Sequence, residues 1–198
     1  MLPPHRLILV RHGESVWNAE ERLQGQLDPP LSERGREQAL ALAPVLETVP
    51  PDRVLCSDLA RATATAELLG LRPQLDARWR EIDVGEWAGR TAAEVDAQNT
   101  ELTNWRGGSR TAPGGETWAA FTARVTGALD ELLAAGGPWL VVCHGGCIRV
   151  SVAHVTGADP LRLGSPPNAS ATVLELATRP RLLVYGSVPD GALPTGLY

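Results

Sequence analysis

The chain is 198 residues long, 43% hydrophobic and 21% charged, with a formal net charge of −5. That length suits one domain with a substantial core, the acidic balance argues against a nucleic-acid partner, and no apolar run approaches a membrane span. All 18 basic side chains are arginine, which excludes mechanisms built on lysine: a Walker-type phosphate loop, a Schiff base, pyridoxal chemistry.

The first element is Leu7-Ile8-Leu9-Val10, an apolar run that reads as a strand buried on both faces. It stops at Arg11-His12-Gly13, so a guanidinium and an imidazole are delivered to the carboxyl end of a strand, where open parallel sheets keep their ligands. A polar loop runs from Trp17-Asn18 to Leu31, long enough beside a strand end to suggest function. Ser32 fits the N-cap of a helix from Glu33 to Leu46, with Ala39, Leu42, Val45 and Leu46 on one face. Val54-Leu55-Cys56 reads as a short strand, followed by a helix capped by Ser57-Asp58 and closed by Gly70. Residues 75–87 alternate poorly and suit an irregular loop or an edge strand. Thr91–Asn99 suggests a short helix and Leu102–Arg106 another. A longer helix from Glu116 to Ala134 follows, with Trp118, Phe121, Val125, Leu129, Leu132 and Leu133 at three- and four-residue steps. Trp139–Cys143 is the second buried strand; it ends at His144-Gly145-Gly146, with a helix from Cys147 to Val155. Asn168–Leu176 and Arg181–Val188 read as closing strands.

Alternating strands and helices predict an α/β fold: a single-domain three-layer α/β/α sandwich over residues 1–198, with a mostly parallel sheet and a small cap at about 91–116. There is no His-Glu-x-x-His, Cys-x-x-Cys pair or Asp-x-Asp loop, so no metal or other cofactor is expected. The amino-terminal residues lack the apolar stretch of a secretory signal. Cys56, Cys143 and Cys147 are a sparse, odd set that suits buried thiols in the reducing cytoplasm.

Chemically, a neutral imidazole is a competent nucleophile toward phosphorus, and an adjacent guanidinium holds phosphate oxygens and offsets developing charge. Four collinear stretches make this specific. Arg11-His12-Gly13-Glu14-Ser15-x-x-Asn18, Ser57-Asp58-Leu59-Ala60-Arg61-Ala62-x-x-Thr65-Ala66, Glu81-Ile82-Asp83-Val84-Gly85-Glu86-Trp87-x-Gly89 and Cys143-His144-Gly145-Gly146 resemble the motifs of the histidine phosphatase superfamily, also called the phosphoglycerate mutase-like family. Leu31-Ser32-Glu33-Arg34-Gly35 and Pro113-Gly114-Gly115-Glu116 match further family strings.

The resemblance implies a phosphoglycerate mutase-like fold and a metal-independent phosphomonoesterase acting on small phosphorylated metabolites. It implies His12 as the nucleophile, with Arg11, Arg61 and His144 as a cationic cup and Glu81 as general acid and base. Asn18 would donate to a phosphate oxygen, and Gln24-Gly25 would add contacts to the substrate. Family substrates include sugar phosphates, phosphoglycerates and α-ribazole phosphate. Read singly, Arg61 fits a solvated helix residue and His144 a core histidine, while Asp83 and Glu86 compete with Glu81 for the acid role. His5 and His154 match no motif and read as structural. Trp17, Trp87, Trp105 and Trp118 could line a cleft, though packing is the simpler role.

Three rival readings stand beside this one. A phosphoglycerate mutase would use the same phosphohistidine, but the stretch between Gly89 and His144 is short and carries only Arg90, Arg106, Arg110 and Arg124, which favours hydrolysis. A non-catalytic phosphate binder would have lost a catalytic group, and none is missing. Cys143-x5-Arg149 has the spacing of a cysteine-based phosphatase loop, but leaves Arg11-His12, Arg61 and Glu81 unexplained. Within the cap, Trp105, Arg106 and Arg110 are the expected selectors of substrate. The oligomeric state is left open.

Overall fold

A computed structural model of the chain describes residues 6–47, 53–97, 111–177 and 180–189. Six strands, β1 (Arg6–Arg11), β2 (Val54–Cys56), β3 (Gln74–Leu75), β4 (Trp139–Cys143), β5 (Ala171–Glu175) and β6 (Arg181–Ser187), form one sheet in the order β3-β2-β4-β1-β5-β6. From β3 to β1 the pairings are parallel. β5 and β6 add an antiparallel edge beside β1, so the sheet is mixed. The stretch joining β5 to β6 is too short for the crossover a parallel pair requires.

Period-two alternation sorts the strand residues between two faces. Leu7, Leu9, Leu55, Val141, Cys143 and Leu174 pack in one core cluster with Phe121, Val125 and Leu129 of α5 (Trp118–Ala135) and with Ile148 and Val152 of α6 (Gly145–Thr156). Ile8, Val10, Cys56, Leu140 and Val142 point the other way, onto Leu42 and Leu46 of α2 (Glu33–Glu47) and Ala62 and Ala66 of α3 (Ala60–Leu68). Helices therefore cover both faces, which is the expected three-layer sandwich. Two short helices, α1 (Val16–Ala19) and α4 (Ala92–Asp96), sit in the loops.

Three elements depart from expectation. The Ser57-Asp58 cap is only partial: the N-cap position of α3 is Leu59, without a side-chain cap. Both carboxylate oxygens of Asp28, far off in sequence, accept instead from the Ala60 N–H at 2.8 Å. Next, α6 begins at Gly145, two residues before the expected start, with His144 as its extended N-cap residue. Glycine at 146 leaves room for the acid's carboxylate: a Cβ there would run into Glu81 Oε1 and stand 3.0 Å from Phe121 Cζ, so one of those side chains would have to move. Lastly, residues 74–87 combine both readings, with a two-residue edge strand followed by 3-10 turns at Ala77–Trp79 and Gly85–Trp87.

The Ser32 cap is present, its Oγ accepting from Gly35 N–H at 3.0 Å. Gly35 is required because the start of α2 presses backbone to backbone on the Gly13-Glu14 turn, where a Cβ would collide with the Glu14 carbonyl oxygen. Of the cap expected over 91–116, only the flanks are described: α4 with its Thr91–Glu94 capping box, and residues 111–116. His5, Trp105, Arg106, Arg110 and the helix expected at 102–106 lie outside the described residues.

Candidate active site

β1 and β4 are neighbours in parallel register, with Arg11 opposite Cys143. The next residue of each strand is a histidine, and His12 N–H donates to the Cys143 carbonyl at 3.1 Å. Two similar apolar runs thus bring His12 and His144 side by side, ring centroids 5.0 Å apart and planes tilted by 59°.

His12 is buried. Its Nδ1 lies 2.6 Å from the Gly13 carbonyl oxygen; a carbonyl only accepts, so Nδ1 carries the proton and Nε2 keeps its lone pair. Burial, reinforced by the charges of Arg61 and Arg11, holds the imidazole well below its ordinary pKa, so it is neutral near pH 7. The Gly13 turn is tied to α3: Gly13 N–H donates to Thr65 Oγ1 at 3.0 Å, and Thr65 donates to the Arg61 carbonyl at 2.7 Å. The spacing of Arg61 and Thr65 thereby gains a reason that sequence reading did not supply.

Both guanidinia are steered by carbonyls rather than by close carboxylates. Arg61, buried to 1% exposure, donates to Leu27 O at 2.8 Å and Gly25 O at 2.7 Å, with Asp28 farther away at 3.8 Å. Gly25 thus holds Arg61 through its carbonyl, a role distinct from the substrate contact expected of it. Gln24 accepts from Ser15 Oγ at 2.8 Å. Arg11 donates to Pro166 O at 2.5 Å and Ser165 Oγ at 3.2 Å. Burial pulls its pKa down to about 10, against the pull of Glu81, which leaves it charged at neutral pH. Asn18 Oδ1 accepts from Ser15 N–H at 3.2 Å and from the Asn168 amide at 3.1 Å, which leaves the Asn18 NH2 as its donor toward the cleft.

His144 is fully buried behind His12; its Nε2 is 2.8 Å from Ser57 Oγ. Burial and Arg61 hold it well below the usual imidazole pKa. Arg11 Nε, Arg61 Nε and His144 Nδ1 are buried without a hydrogen-bond partner. Buried polar atoms normally find partners; Arg11 and Arg61 line the same cleft as His12, and the His144 ring lies beside that of His12.

Glu81 accepts at both oxygens from backbone: Ile82 N–H to Oε1 at 2.9 Å and Gly146 N–H, in the first turn of α6, to Oε2 at 3.0 Å. Of the three competing acids, it alone lines the cleft; Asp83 Oδ1 accepts from Gly85 N–H instead. The loop carrying Glu81 is pinned by Arg124 of α5, which donates to the carbonyls of Arg78 and Arg80 and pairs with Glu116 at 2.7 Å. Glu116 is the last residue of the Pro113-Gly114-Gly115-Glu116 string, so that string supports the acid loop. Sequence reading assigned Arg124 no role, and no local signal marks it.

The cleft between these groups has a volume of about 180 Å³ and is lined by Arg11, His12, Asn18, Gln24, Gly25, Arg61 and Glu81. His144 is not among the lining residues; its ring lies beside that of His12. Arg22 and Arg149 also reach its wall, and neither was expected there. Trp17, Trp87 and Trp118 do not line it; Trp87 is core. His154 pairs with Asp130 at 2.8 Å, away from the cleft. Residues 145–149, needed as the loop of a Cys143-x5-Arg149 site, are helical, and Cys143 is buried inside β4. Among the described residues no cluster of three His, Cys, Asp or Glu is arranged to hold a metal ion.

Residues 7–185 match the histidine phosphatase superfamily (branch 1). The chain is 41% identical over 194 residues to a glucosyl-3-phosphoglycerate phosphatase of Mycolicibacterium vanbaalenii, covering 88% of this chain and 85% of that protein. It is 34% identical over 164 residues to a probable phosphoglycerate mutase of Salmonella paratyphi C, covering 77% and 75%. The structure of a mycobacterial glucosyl-3-phosphoglycerate phosphatase complexed with VO3 superimposes with a TM-score of 0.84 at 37% identity, over 92% of this chain and 99% of that one. Motifs, fold and relatives agree that this chain belongs to the histidine phosphatase superfamily, branch 1.

Proposed function

We propose that the chain is a phosphomonoesterase that hydrolyses small phosphorylated metabolites through a phosphohistidine on His12, with no metal. The observation that carries this is the His12 ring, neutral, with its proton held on Nδ1 by the Gly13 carbonyl and its Nε2 free for attack. In the first step the Nε2–P bond forms as the ester P–O bond breaks, and Glu81 gives its proton to the leaving alkoxide. In the second, water attacks phosphorus, Glu81 takes its proton, and the N–P bond breaks to release phosphate. Arg11, Arg61, His144 and Asn18 hold the phosphoryl oxygens throughout, so guanidinia supply the positive charge that a metal would otherwise provide.

The phosphatase relatives are more similar to this chain than the mutase relative is, which favours water over a returning phosphoglycerate as the acceptor. By the same similarity, the substrate class is a sugar or glycerate phosphate. Three free buried thiols suit the reducing cytoplasm, and the acidic net charge does not suit nucleic acid. The test is phosphate release from p-nitrophenyl phosphate and a sugar-phosphate panel, with and without EDTA, plus acid quench of the phosphoenzyme. Turnover with an acid-labile phosphoenzyme, indifferent to EDTA, is expected. Turnover abolished by EDTA, or 2-/3-phosphoglycerate exchange faster than phosphate release, would overturn the reading.

A further inference from the structure

The stretch that leads from α6 into β5 carries none of the motifs quoted above, yet residues 165–170 touch three groups of the site. Arg11 donates through its guanidinium to Ser165 Oγ and Pro166 O, and through its backbone N–H to Ser170 O. The His12 carbonyl oxygen accepts from Ala169 N–H at 3.0 Å and from the Asn168 side-chain amide at 3.2 Å. The same Asn168 nitrogen donates to Asn18 Oδ1 at 3.1 Å. One side chain thus bridges the peptide of the nucleophile and a cleft residue 150 positions away. The orientation of both amides follows from backbone chemistry. A carbonyl only accepts, so the Asn168 group facing His12 O is its NH2. A backbone N–H only donates, so the Asn18 atom 3.2 Å from Ser15 N is Oδ1. The bridge is not needed to close the strand ladder, because Ala169 N–H and Ser170 O already hold this segment to the end of β1. Ala169 itself is buried and left-handed, with φ 47°. That conformation is uncommon for a residue with a Cβ, and such strain gathers at functional sites.

We infer that Asn168 is a positioning residue for phosphoryl binding, which holds Asn18 so that its NH2 is presented to the cleft. The inference rests on the phosphatase reading and adds to it a residue outside every motif. Asn18 lines the cleft, and its Oδ1 is occupied by Ser15 and Asn168. An amide whose oxygen accepts hydrogen bonds is polarised, so its NH2 becomes a stronger donor to an anion. Asparagine suits position 168 because both hydrogens of its NH2 meet an acceptor, His12 O and Asn18 Oδ1. Aspartate there would set a carboxylate against those two oxygens, and would bring negative charge toward a bound phosphate. Alanine would leave Asn18 Oδ1 to Ser15 alone.

The test is a double-mutant cycle. Binding of inorganic phosphate is measured calorimetrically on the unmodified chain, Asn168→Ala, Asn18→Ala and the double variant, beside kcat and KM for p-nitrophenyl phosphate. Asn168→Ala should weaken phosphate binding ~3- to 10-fold, the range of one hydrogen bond. It should raise KM more than it lowers kcat, because Ala169 N–H still holds the His12 carbonyl. In the Asn18→Ala background the same substitution should cost ~2-fold or less, since the group it acts through is gone. Asn168→Asp should weaken phosphate binding more than Asn168→Ala does. Unchanged phosphate binding in Asn168→Ala, losses that multiply in the double variant, or a fall in kcat at constant KM overturns the inference. If circular dichroism shows that Asn168→Ala does not fold, the cycle is run with Asn168→Ser and read by the same criteria. Because the primary readout is binding, failure here is distinct from failure of the phosphatase reading, which shows as absent p-nitrophenyl phosphate turnover by the unmodified chain.

Discussion

Gly146→Ala separates the placement of the acid from the stability of the fold. The added Cβ would collide with Glu81 Oε1 and stand 3.0 Å from Phe121 Cζ. Phe121 is fixed in the core, whereas the Glu81 carboxylate is the end of a flexible side chain and gives way. Its movement breaks the 3.0 Å hydrogen bond from Gly146 N–H. The stability terms nearly cancel: alanine gains up to ~1 kcal/mol over glycine in a helix, against about 1 kcal/mol for mild overpacking at Phe121. The catalytic terms do not cancel, because a displaced general acid forfeits ~10²-fold or more of its contribution. The assay is stopped-flow release of p-nitrophenolate beside steady-state hydrolysis of an alkyl phosphate, with a parallel thermal melt. p-Nitrophenolate leaves without needing a proton, so its burst should survive in Gly146→Ala. Alkyl phosphate hydrolysis should fall ~10²-fold, and Tm should move by only a few degrees. Full activity toward the alkyl phosphate, or a burst lost in step with it, would refute the placement of Glu81 as the acid that Gly146 holds.

His12→Asn should remove both turnover and the acid-labile phosphoenzyme, a loss of at least ~10³-fold; residual phosphoenzyme would move the nucleophile elsewhere. Cys143→Ala should retain the phosphoenzyme and turnover within a few-fold, since the thiol is buried in β4 away from the cleft; loss of the phosphoenzyme in a folded variant would revive the cysteine reading. Asp28→Ala removes both the cap on Ala60 and the nearest carboxylate to Arg61. It should cost about 1 kcal/mol in urea unfolding and raise KM for phosphoesters, and an unchanged KM would count against the link. His12 and His144 both sit well below their ordinary values in the fold, through burial first and Arg61 next. The unfolded chain, with imidazoles near ~6.5, therefore takes up protons first. Stability should fall as pH drops below ~6.5 toward the lowered folded values, and urea midpoints at pH 7.5 and 5.5 that coincide would contradict it.

Much of the architecture was legible along the chain because it is written in local patterns. The runs at 7–10 and 139–143 identify central strands through apolar content alone, and their polar endings mark the active edge of the sheet. Ser32, the α5 periodicity and Gly70 identify their helices through capping chemistry and 3.6-residue spacing. The motif spacing likewise singled out His12, Arg61, His144 and Glu81; the fold brings His12, Arg61 and Glu81 to one cleft and sets the His144 ring beside that of His12.

What the tertiary structure decided depends on contacts between residues far apart in sequence, which leave no periodic trace. Glu81 is the proposed acid ahead of Asp83 and Glu86 because it lines the cleft and its carboxylate meets the amide of Gly146, 65 residues on. Asp28 caps α3 across 32 residues, and Arg124 pins the acid loop across more than 40. Arg149, read along the chain, is one arginine in an amphipathic helix. Its place at the cleft wall, over the Trp118 ring, appears only when α6 is laid against the rest of the fold, because the surroundings of a charge are set in space. Local sequence thus specifies which chemical groups the chain possesses and on which elements they ride; the packing of those elements settles which groups share a solvent-poor cleft, where electrostatic interactions gain their strength.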